Sequence, residues 1–303
     1  MSGAAILILG IALVSSALTE YVPDILSDFY YQPVKQVPTV AKPEYNRTWL
    51  FSTSLTPEGE YEYIDKEGNI QGFLVDLMNE VCKEAGKECA IMYDDYNNCY
   101  TQSDGGRPRA GQGLLGNWYD GCFVYYKTLP RIPLFDFTDP FSKLNIISEF
   151  YVLNDSKGDF DPTDVSGKRI GFLSGWFTDE ACIVRDGRTK NIEQLEPSQK
   201  KYVADIYTLL DMLKKQEVDA IFVAYTAVNE IEDQVKAVGP GLECSGVHGG
   251  SNEQVMILRK GSPVRQWWND AFKKIRENGK YYKVCSRTER KHGKPVTCIG
   301  IDE

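Results

Sequence analysis

Residues 68–77 read Gly-Asn-Ile-Gln-Gly-Phe-Leu-Val-Asp-Leu, and residues 78–86 continue as Met-Asn-Glu-Val-Cys-Lys-Glu-Ala-Gly. Leu74, Leu77, Met78, Val81, Cys82 and Ala85 recur at i, i+3, i+4, i+7 and i+8, one apolar stripe of a helix that Gly86 stops. On the N-terminal side, Lys66-Glu67-Gly68-Asn69 is a turn within residues 60–70, a hairpin-like excursion, and residues 48–53 form a first strand. On the C-terminal side, residues 89–93 are apolar and of strand length.

The same alternation runs on. Ile206, Leu209, Leu210 and Leu213 mark a second helix. In a third, Ser262 caps, Pro263 takes the first helical position, Val264, Trp267, Trp268, Ala271, Phe272 and Ile275 form a core-facing stripe, and Gly279 ends it. Residues 169–173 and 218–223 are further short apolar strands between helices. Strands alternating with helices predict an α/β protein with a mostly parallel sheet, whose ligands bind beyond the carboxyl ends of the strands.

The 303 residues suffice for two lobes with separate cores. Hydrophobic residues are 42% and charged residues 25%, and the formal net charge of -9 argues against nucleic acid or an anionic membrane surface as a partner. Residues 4–14 are an apolar run followed by Ser15-Ser16-Ala17, so residues 1–17 read as a secretory signal without the usual basic start, too short to span a bilayer. Residues 18–45 are a Pro- and Tyr-rich N-terminal arm. Eight cysteines, no CxxC spacing and only two histidines point to disulfides in an oxidising compartment rather than to zinc. Asn46 and Asn154 each head a glycosylation triplet. No metal site and no cofactor motif is expected. The acidic cluster Asp159, Asp161 and Asp164 lacks the spacing of a calcium loop, and the loop glycines at 105, 106, 111 and 113 lack the context and lysine of a phosphate loop.

In order, these segments resemble extracellular solute-binding protein family 3, the periplasmic amino-acid-binding proteins related to the ligand-binding domains of ionotropic glutamate receptors. Residues 68–77 resemble the family's G-x-x-x-G-F-x-V-D-L segment. Tyr119-Asp-Gly-Cys, then Thr128-Leu-Pro-Arg131 and Phe135-Asp-Phe-Thr-Asp-Pro-Phe141, resemble its D-A, T-x-x-R and F-D-F-S-x-P-Y signature. Residues 165–175 resemble the opening of its second lobe, Val218-Asp-Ala-Ile its V-D-A segment, and Asn278-Gly-Lys-Tyr281 its closing D-G-T-Y. The resemblance covers residues 48 to about 286. It implies a two-lobed type II periplasmic-binding-protein-like fold, each lobe a mixed sheet flanked by helices, with two hinge crossovers. Lobe 1 would be residues 46–146 plus 253–303 and lobe 2 residues 147–252, closing on a ligand in the cleft between them. The spacing of Cys82 and Cys89 equals that of a disulfide in some histidine-binding members. On this reading Cys99 would pair with Cys122, Cys182 with Cys244 and Cys285 with Cys298, none crossing between lobes.

The resemblance also nominates residues. Arg131 stands where the family clamps a ligand α-carboxylate, a task suited to a planar guanidinium with two parallel donors. Val124 and Tyr126 stand at positions that contact ligand partly through backbone, and the Tyr126 ring would reshape the pocket. Tyr96 and Tyr61 would wall it, core packing being the competing role for each. On lobe 2, Trp176, Phe177 and Thr178 precede a helix starting near Asp179, whose free amides favour anions. Ala224 stands where amino-acid binders place the acid that pairs with the α-ammonium, followed by Tyr225. The expected function is therefore a secreted, extracellular (periplasmic in a bacterium) binding protein, not an enzyme, for a small carboxylate or amino-acid-like ligand. It would have no nucleic-acid partner, no membrane span and an unidentified protein partner at most. The competing readings are an interaction or structural protein that lost its ligand, or a dehydratase-like enzyme on the same fold.

Overall fold

The computed structural model describes residues 47–53, 61–101, 108–156, 160–176, 178–249 and 251–300. The signal, the arm, Asn46 and Phe177 lie outside the described residues. In chain order the first elements are β1 (Thr48–Thr53), the β2–β3 hairpin (Tyr63–Ile64, Ile70–Gln71), α1 (Phe73–Ala85) and β4 (Glu88–Tyr93). Next come α2 (Tyr96–Cys99), the β5–β6 pair (Tyr100–Thr101, Arg109–Ala110), α3 (Gln112–Leu115), β7 (Gly121–Tyr126), β8 (Phe135–Phe137) and β9 (Ser142–Lys143). The middle of the chain adds β10 (Ile147–Leu153), β11 (Ile170–Leu173), α4 (Glu180–Asp186), β12 (Lys200–Val203), α5 (Ile206–Lys214), β13 (Ala220–Ala224), α6 (Tyr225–Val228) and β14 (Val235–Glu243). It then returns through β15 (Glu253–Arg259) to α7 (Val264–Glu277) and α8 (Lys280–His292).

Two mixed sheets define two lobes. The first has strand order β4-β1-β7-β15-β8, with β9 also on β15, and the second β12-β11-β13-β10-β14. In the first, β1 runs parallel to β4 and β7 while β15 is antiparallel to β7 and β8. Helices α1, α7 and α8 pack on it through Leu74, Leu77, Val81, Trp268, Phe272 and Tyr281. Trp268 is fully buried, in edge-to-face contact with Phe51 and Phe123. The second sheet buries Ile170, Phe172 and Phe222 on one side and Ile221 and Val223 on the other, where Leu209 of α5 packs against them.

The local reasons follow from the sequence. Gly86 adopts φ 63° and closes α1 by donating to the Lys83 carbonyl. Gly72 has φ 125°, and a Cβ there would lie 2.4 Å from the Tyr61 carbonyl oxygen, so the motif's second glycine lets the helix start approach the Tyr61 backbone. Ser262 accepts from the Val264 amide, and α7 begins one residue after the Pro263 start read from sequence. Helix α8 was not anticipated. Its apolar stripe is thin, Tyr281, Val284 and Thr288, within a run of lysines and arginines.

Several motif carboxylates turn out to be scaffold. Asp76 accepts from Lys291 and meets His292 at the end of α8. Asp219 takes Arg169 bidentately at 2.8 and 3.1 Å and also caps the Arg169 amide, tying the starts of β11 and β13. Burial pushes its pKa up, but the Arg169 hydrogen bonds outweigh this and hold the carboxyl below the usual range. Asp161 and Asp164 cap their own turns through Thr163 and Ser166.

Four disulfides are present, Cys82–Cys89, Cys99–Cys122, Cys182–Cys244 and Cys285–Cys298. They tie α1 to β4, α2 to β7, α4 to the segment after β14, and α8 to the tail. None joins one lobe to the other. The two crossovers, residues 144–146 and the segments 244–249 and 251–252, are hydrogen-bonded to each other. The Leu144 amide donates to the Asn252 carbonyl, the Ile146 amide to Ser245 Oγ and the Cys244 amide to the Ile146 carbonyl. Asn154 is exposed in the turn after β10, its Nδ2 donating to the Asp233 carbonyl. Among the described residues no helix is long and apolar enough to cross a membrane.

Two substitutions test this packing by chemical denaturation. Trp268→Ala empties the centre of the first lobe and is expected to cost about 3–5 kcal/mol. Gly72→Ala forces a Cβ against Tyr61 in a left-handed backbone and is expected to cost at least about 1 kcal/mol, whereas Gly68→Ala, with open space around it, costs less.

Candidate functional site

The segments after β4 and β7 in lobe 1 meet the loop after β11 in lobe 2 through Tyr96, Arg131 and Gly175, beyond the carboxyl ends of those strands, the location expected for a ligand in an α/β sheet. Arg131 sits there with 2% of its surface exposed. It is held by a turn in which its amide donates to the Thr128 carbonyl. Its Nη1 donates to the Tyr126 carbonyl at 3.0 Å, and its Nη2 to the Tyr96 hydroxyl at 2.5 Å and to the Gly175 carbonyl at 3.1 Å. The guanidinium carbon lies 4.6 Å from the Tyr100 ring centre and 5.1 Å from that of Tyr125. These aromatic faces attract a cation. Among the described residues none of its hydrogen-bond partners is a carboxylate.

The strand that delivers this turn is irregular. Val124 has φ 65°, a backbone region that β-branched residues avoid, and the β7–β15 register slips between Val255 and Ile257. The bulge falls between Cys122 and Tyr125; beyond it Tyr125 and Tyr126 pair again with Val255 and Gln254, and the Tyr126 carbonyl accepts from Arg131. Backbone strain of this kind clusters at functional sites.

The other nominated residues divide by what they touch. Tyr96 stacks on Tyr125 at 4.9 Å, leans on Trp176 at 5.8 Å and lies 3.4 Å from the Gly175 carbonyl. It therefore belongs to the Arg131 cluster. Tyr61 and Tyr126, both buried, donate their hydroxyls to the carbonyls of Lys143, the last residue of β9, and Leu144, the first of the crossover. The Tyr126 ring packs into the lobe 2 core, with Tyr225 of lobe 2 close enough to raise its hydroxyl pKa, which burial already lifts far above the ordinary value. Ala224 is fully buried at the end of β13 and packs in the lobe 2 core. Thr178 is fully buried, its Oγ1 without a hydrogen-bond partner among the described residues. Asp179 caps α4 through the Ala181 amide, and its charge reaches the Tyr100 hydroxyl.

Tyr100, Tyr125 and Gly175 are site residues that sequence reasoning did not nominate. The spacing of Tyr96 and Tyr100 and the Tyr125-Tyr126 pair carried a faint signal, two tyrosine clusters in one lobe. The Gly175 carbonyl carried none, since a backbone acceptor leaves no mark in side-chain identity.

Burial pushes the Tyr96 hydroxyl up to about 12, with Arg131 opposing the shift. Burial likewise raises Tyr100, again against Arg131. A phenol whose folded pKa exceeds its unfolded value of about 10 contributes no pH dependence below that value and costs stability as pH rises from about 10 to about 12. Thermal unfolding followed against pH is expected to be flat for this group up to about pH 9, and Tyr96→Phe is expected to shallow the alkaline fall.

No family model matches the chain, and no curated protein matches it in sequence. Solved structures do match. The arginine-, lysine-, histidine-binding protein ArtJ of Geobacillus stearothermophilus is 20% identical with a TM-score of 0.52, covering 82% of this chain and 96% of that one. An arginine transport-system periplasmic binding protein of Legionella pneumophila is 18% identical with a TM-score of 0.54, covering 80% and 99%. A histidine kinase sensor domain with similarity to periplasmic binding proteins is 14% identical with a TM-score of 0.53, covering 81% and 97%. With both sheets, both crossovers and the interlobe arginine in view, the chain has the two-lobed fold of the periplasmic amino-acid-binding proteins.

Proposed function

We propose that this is a secreted solute-binding protein whose lobes, residues 46–146 plus 253–303 and residues 147–252, close on a small carboxylate or amino-acid-like solute held by Arg131. The observation that carries the reading is the buried guanidinium of Arg131, supplied with neutral acceptors and no carboxylate among the described residues. A buried charge without a counter-ion costs several kcal/mol. An anionic group that enters the cleft and meets the guanidinium recovers that cost, and it does so best in the closed form, which removes water.

The chemistry of the cluster favours binding over catalysis. The hydroxyls around Arg131 are tyrosines whose pKa values burial raises, and a general acid or base works best near the operating pH. Ala224 puts no charge where an α-ammonium would need one. The reading therefore favours an acid without an α-amine, or one whose amine is met elsewhere in the cleft. Tyr96, Trp176 and Tyr225 would form aromatic walls for such a solute. Four disulfides fit an extracellular or periplasmic location.

The test is a thermal-shift screen of the purified protein against amino acids, amines, keto acids and other small carboxylates. A solute at about a hundred times its dissociation constant adds about 2.7 kcal/mol of stability. A stabilising carboxylate whose effect disappears in Arg131→Met and is weakened in Arg131→Lys is the expected result. A folded protein that no carboxylate stabilises would sink the proposal.

A further inference from the structure

Arg131 is held by both lobes at once. Its Nη1 hydrogen bond to the Tyr126 carbonyl anchors it to lobe 1. Its Nη2 then reaches the Tyr96 hydroxyl of lobe 1 and the Gly175 carbonyl of lobe 2, and those two oxygens lie 3.4 Å apart. Both oxygens accept from the one nitrogen, and the Tyr96 hydroxyl in turn donates to the Gly175 carbonyl, so the three groups close a small hydrogen-bonded ring. The two oxygens come from opposite sides of the cleft.

Each participant is also held by contacts within its own lobe. Tyr96 opens α2, which the Asp95 side chain caps through the Asn97 amide and the Cys99–Cys122 bridge fastens to β7. The Tyr125 hydroxyl donates to the Tyr96 carbonyl, and the two rings stack. Gly175 follows β11 with φ 80°, a conformation open to glycine at little cost, and Trp176 beside it packs into the lobe 2 cores while leaning on the Tyr96 ring. Two residues before Arg131 in the chain, the Leu129 side chain lies against Gly249 of the second crossover, where a Cβ would stand 2.8 Å from it.

We propose that the Tyr96 hydroxyl and the Gly175 carbonyl act as an internal ligand for Arg131, latching the two lobes closed within the chain itself. An incoming acid must then displace the Tyr96 hydroxyl from the guanidinium. The displacement rests on the carboxylate reading above, whereas the latch does not. Tyr96 is thus a gate on solute affinity, since whatever Arg131 gains from a ligand is measured against what it already has from Tyr96.

The latch is tested on the full chain with no solute added, by small-angle X-ray scattering and amide hydrogen exchange of wild type, Tyr96→Phe and Arg131→Met. Tyr96→Phe keeps the ring and its stacking and removes only the hydroxyl. Losing a hydrogen bond to a charged group shifts a closed-to-open ratio about tenfold or more. Wild type is expected to scatter as the compact form. Both variants are expected to show a larger radius of gyration and about tenfold faster exchange in peptides covering 94–101 and 173–176. Wild type already as expanded as the variants would overturn the latch, as would Tyr96→Phe with wild-type scattering and exchange. Should Arg131→Met fail to fold, Tyr96→Phe decides alone. A solute screen without a hit leaves this result standing, and a latch that fails leaves solute binding standing, so the two ideas fall separately.

Discussion

A guanidinium buried between two lobes cannot be left to chance, because an ill-placed charge in a low-dielectric cleft is among the most costly errors a fold can make. The surroundings of Arg131 read as the solution to that constraint. The Thr128 turn sets its backbone, the Tyr126 carbonyl beyond the β7 bulge accepts from Nη1, and the rings of Tyr100 and Tyr125 offer π faces to the cation. The Cys99–Cys122 bridge fastens the short helix that presents Tyr96 to the strand that leads to Arg131. What the site does not contain is a carboxylate in contact with the arginine among the described residues. The charge is solvated by neutral dipoles, which hold it in place without neutralising it.

The motif carboxylates show why that matters. Asp76, Asp120, Asp136 and Asp219 each have a partner in the scaffold: Lys291 and His292, Arg47, Lys260, and Arg169. Each ties elements that are distant in sequence, such as the start of β11 to the start of β13. These four acids serve the architecture, and among the described residues none of the hydrogen-bond partners shown for Arg131 is one of them. That asymmetry, rather than any one residue type, makes the interlobe position stand out from a scaffold rich in ion pairs.

The sequence made the periodic parts of this structure readable. The stripes of α1, α5 and α7 and the runs that became β1, β4, β11 and β13 follow from burial, which imposes periods of 3.6 and 2 on any chain. Helix α8 was hidden because only Tyr281, Val284 and Thr288 face the core, too few to stand out among basic residues. Within the site, Arg131 and Tyr96 were each nominated by the resemblance alone, and their contact with one another was not read from the sequence. Nor were the roles of the Tyr61 and Tyr126 hydroxyls, because their partners are the carbonyls of Lys143 and Leu144, and backbone acceptors are the same at every residue. The Gly175 carbonyl escaped for the same reason.

The tyrosines also explain how a hinge and a clamp can act together in the proposed function. Tyr61 binds the last residue of β9 and Tyr126 the first residue of the crossover through their hydroxyls, while the Tyr126 carbonyl binds Arg131. One residue therefore joins the hinge to the clamp, and its ring reaches into the lobe 2 core. Opening the cleft must withdraw that ring from lobe 2 and part Arg131 from Gly175. These are losses of apolar contact and of a charge-assisted hydrogen bond, and they add to the same equilibrium. A solute that replaces the Tyr96 hydroxyl leaves the Tyr126 ring and the hinge hydrogen bonds as they are. It needs only to outcompete one neutral oxygen, and a carboxylate oxygen facing a buried guanidinium meets that requirement through its charge.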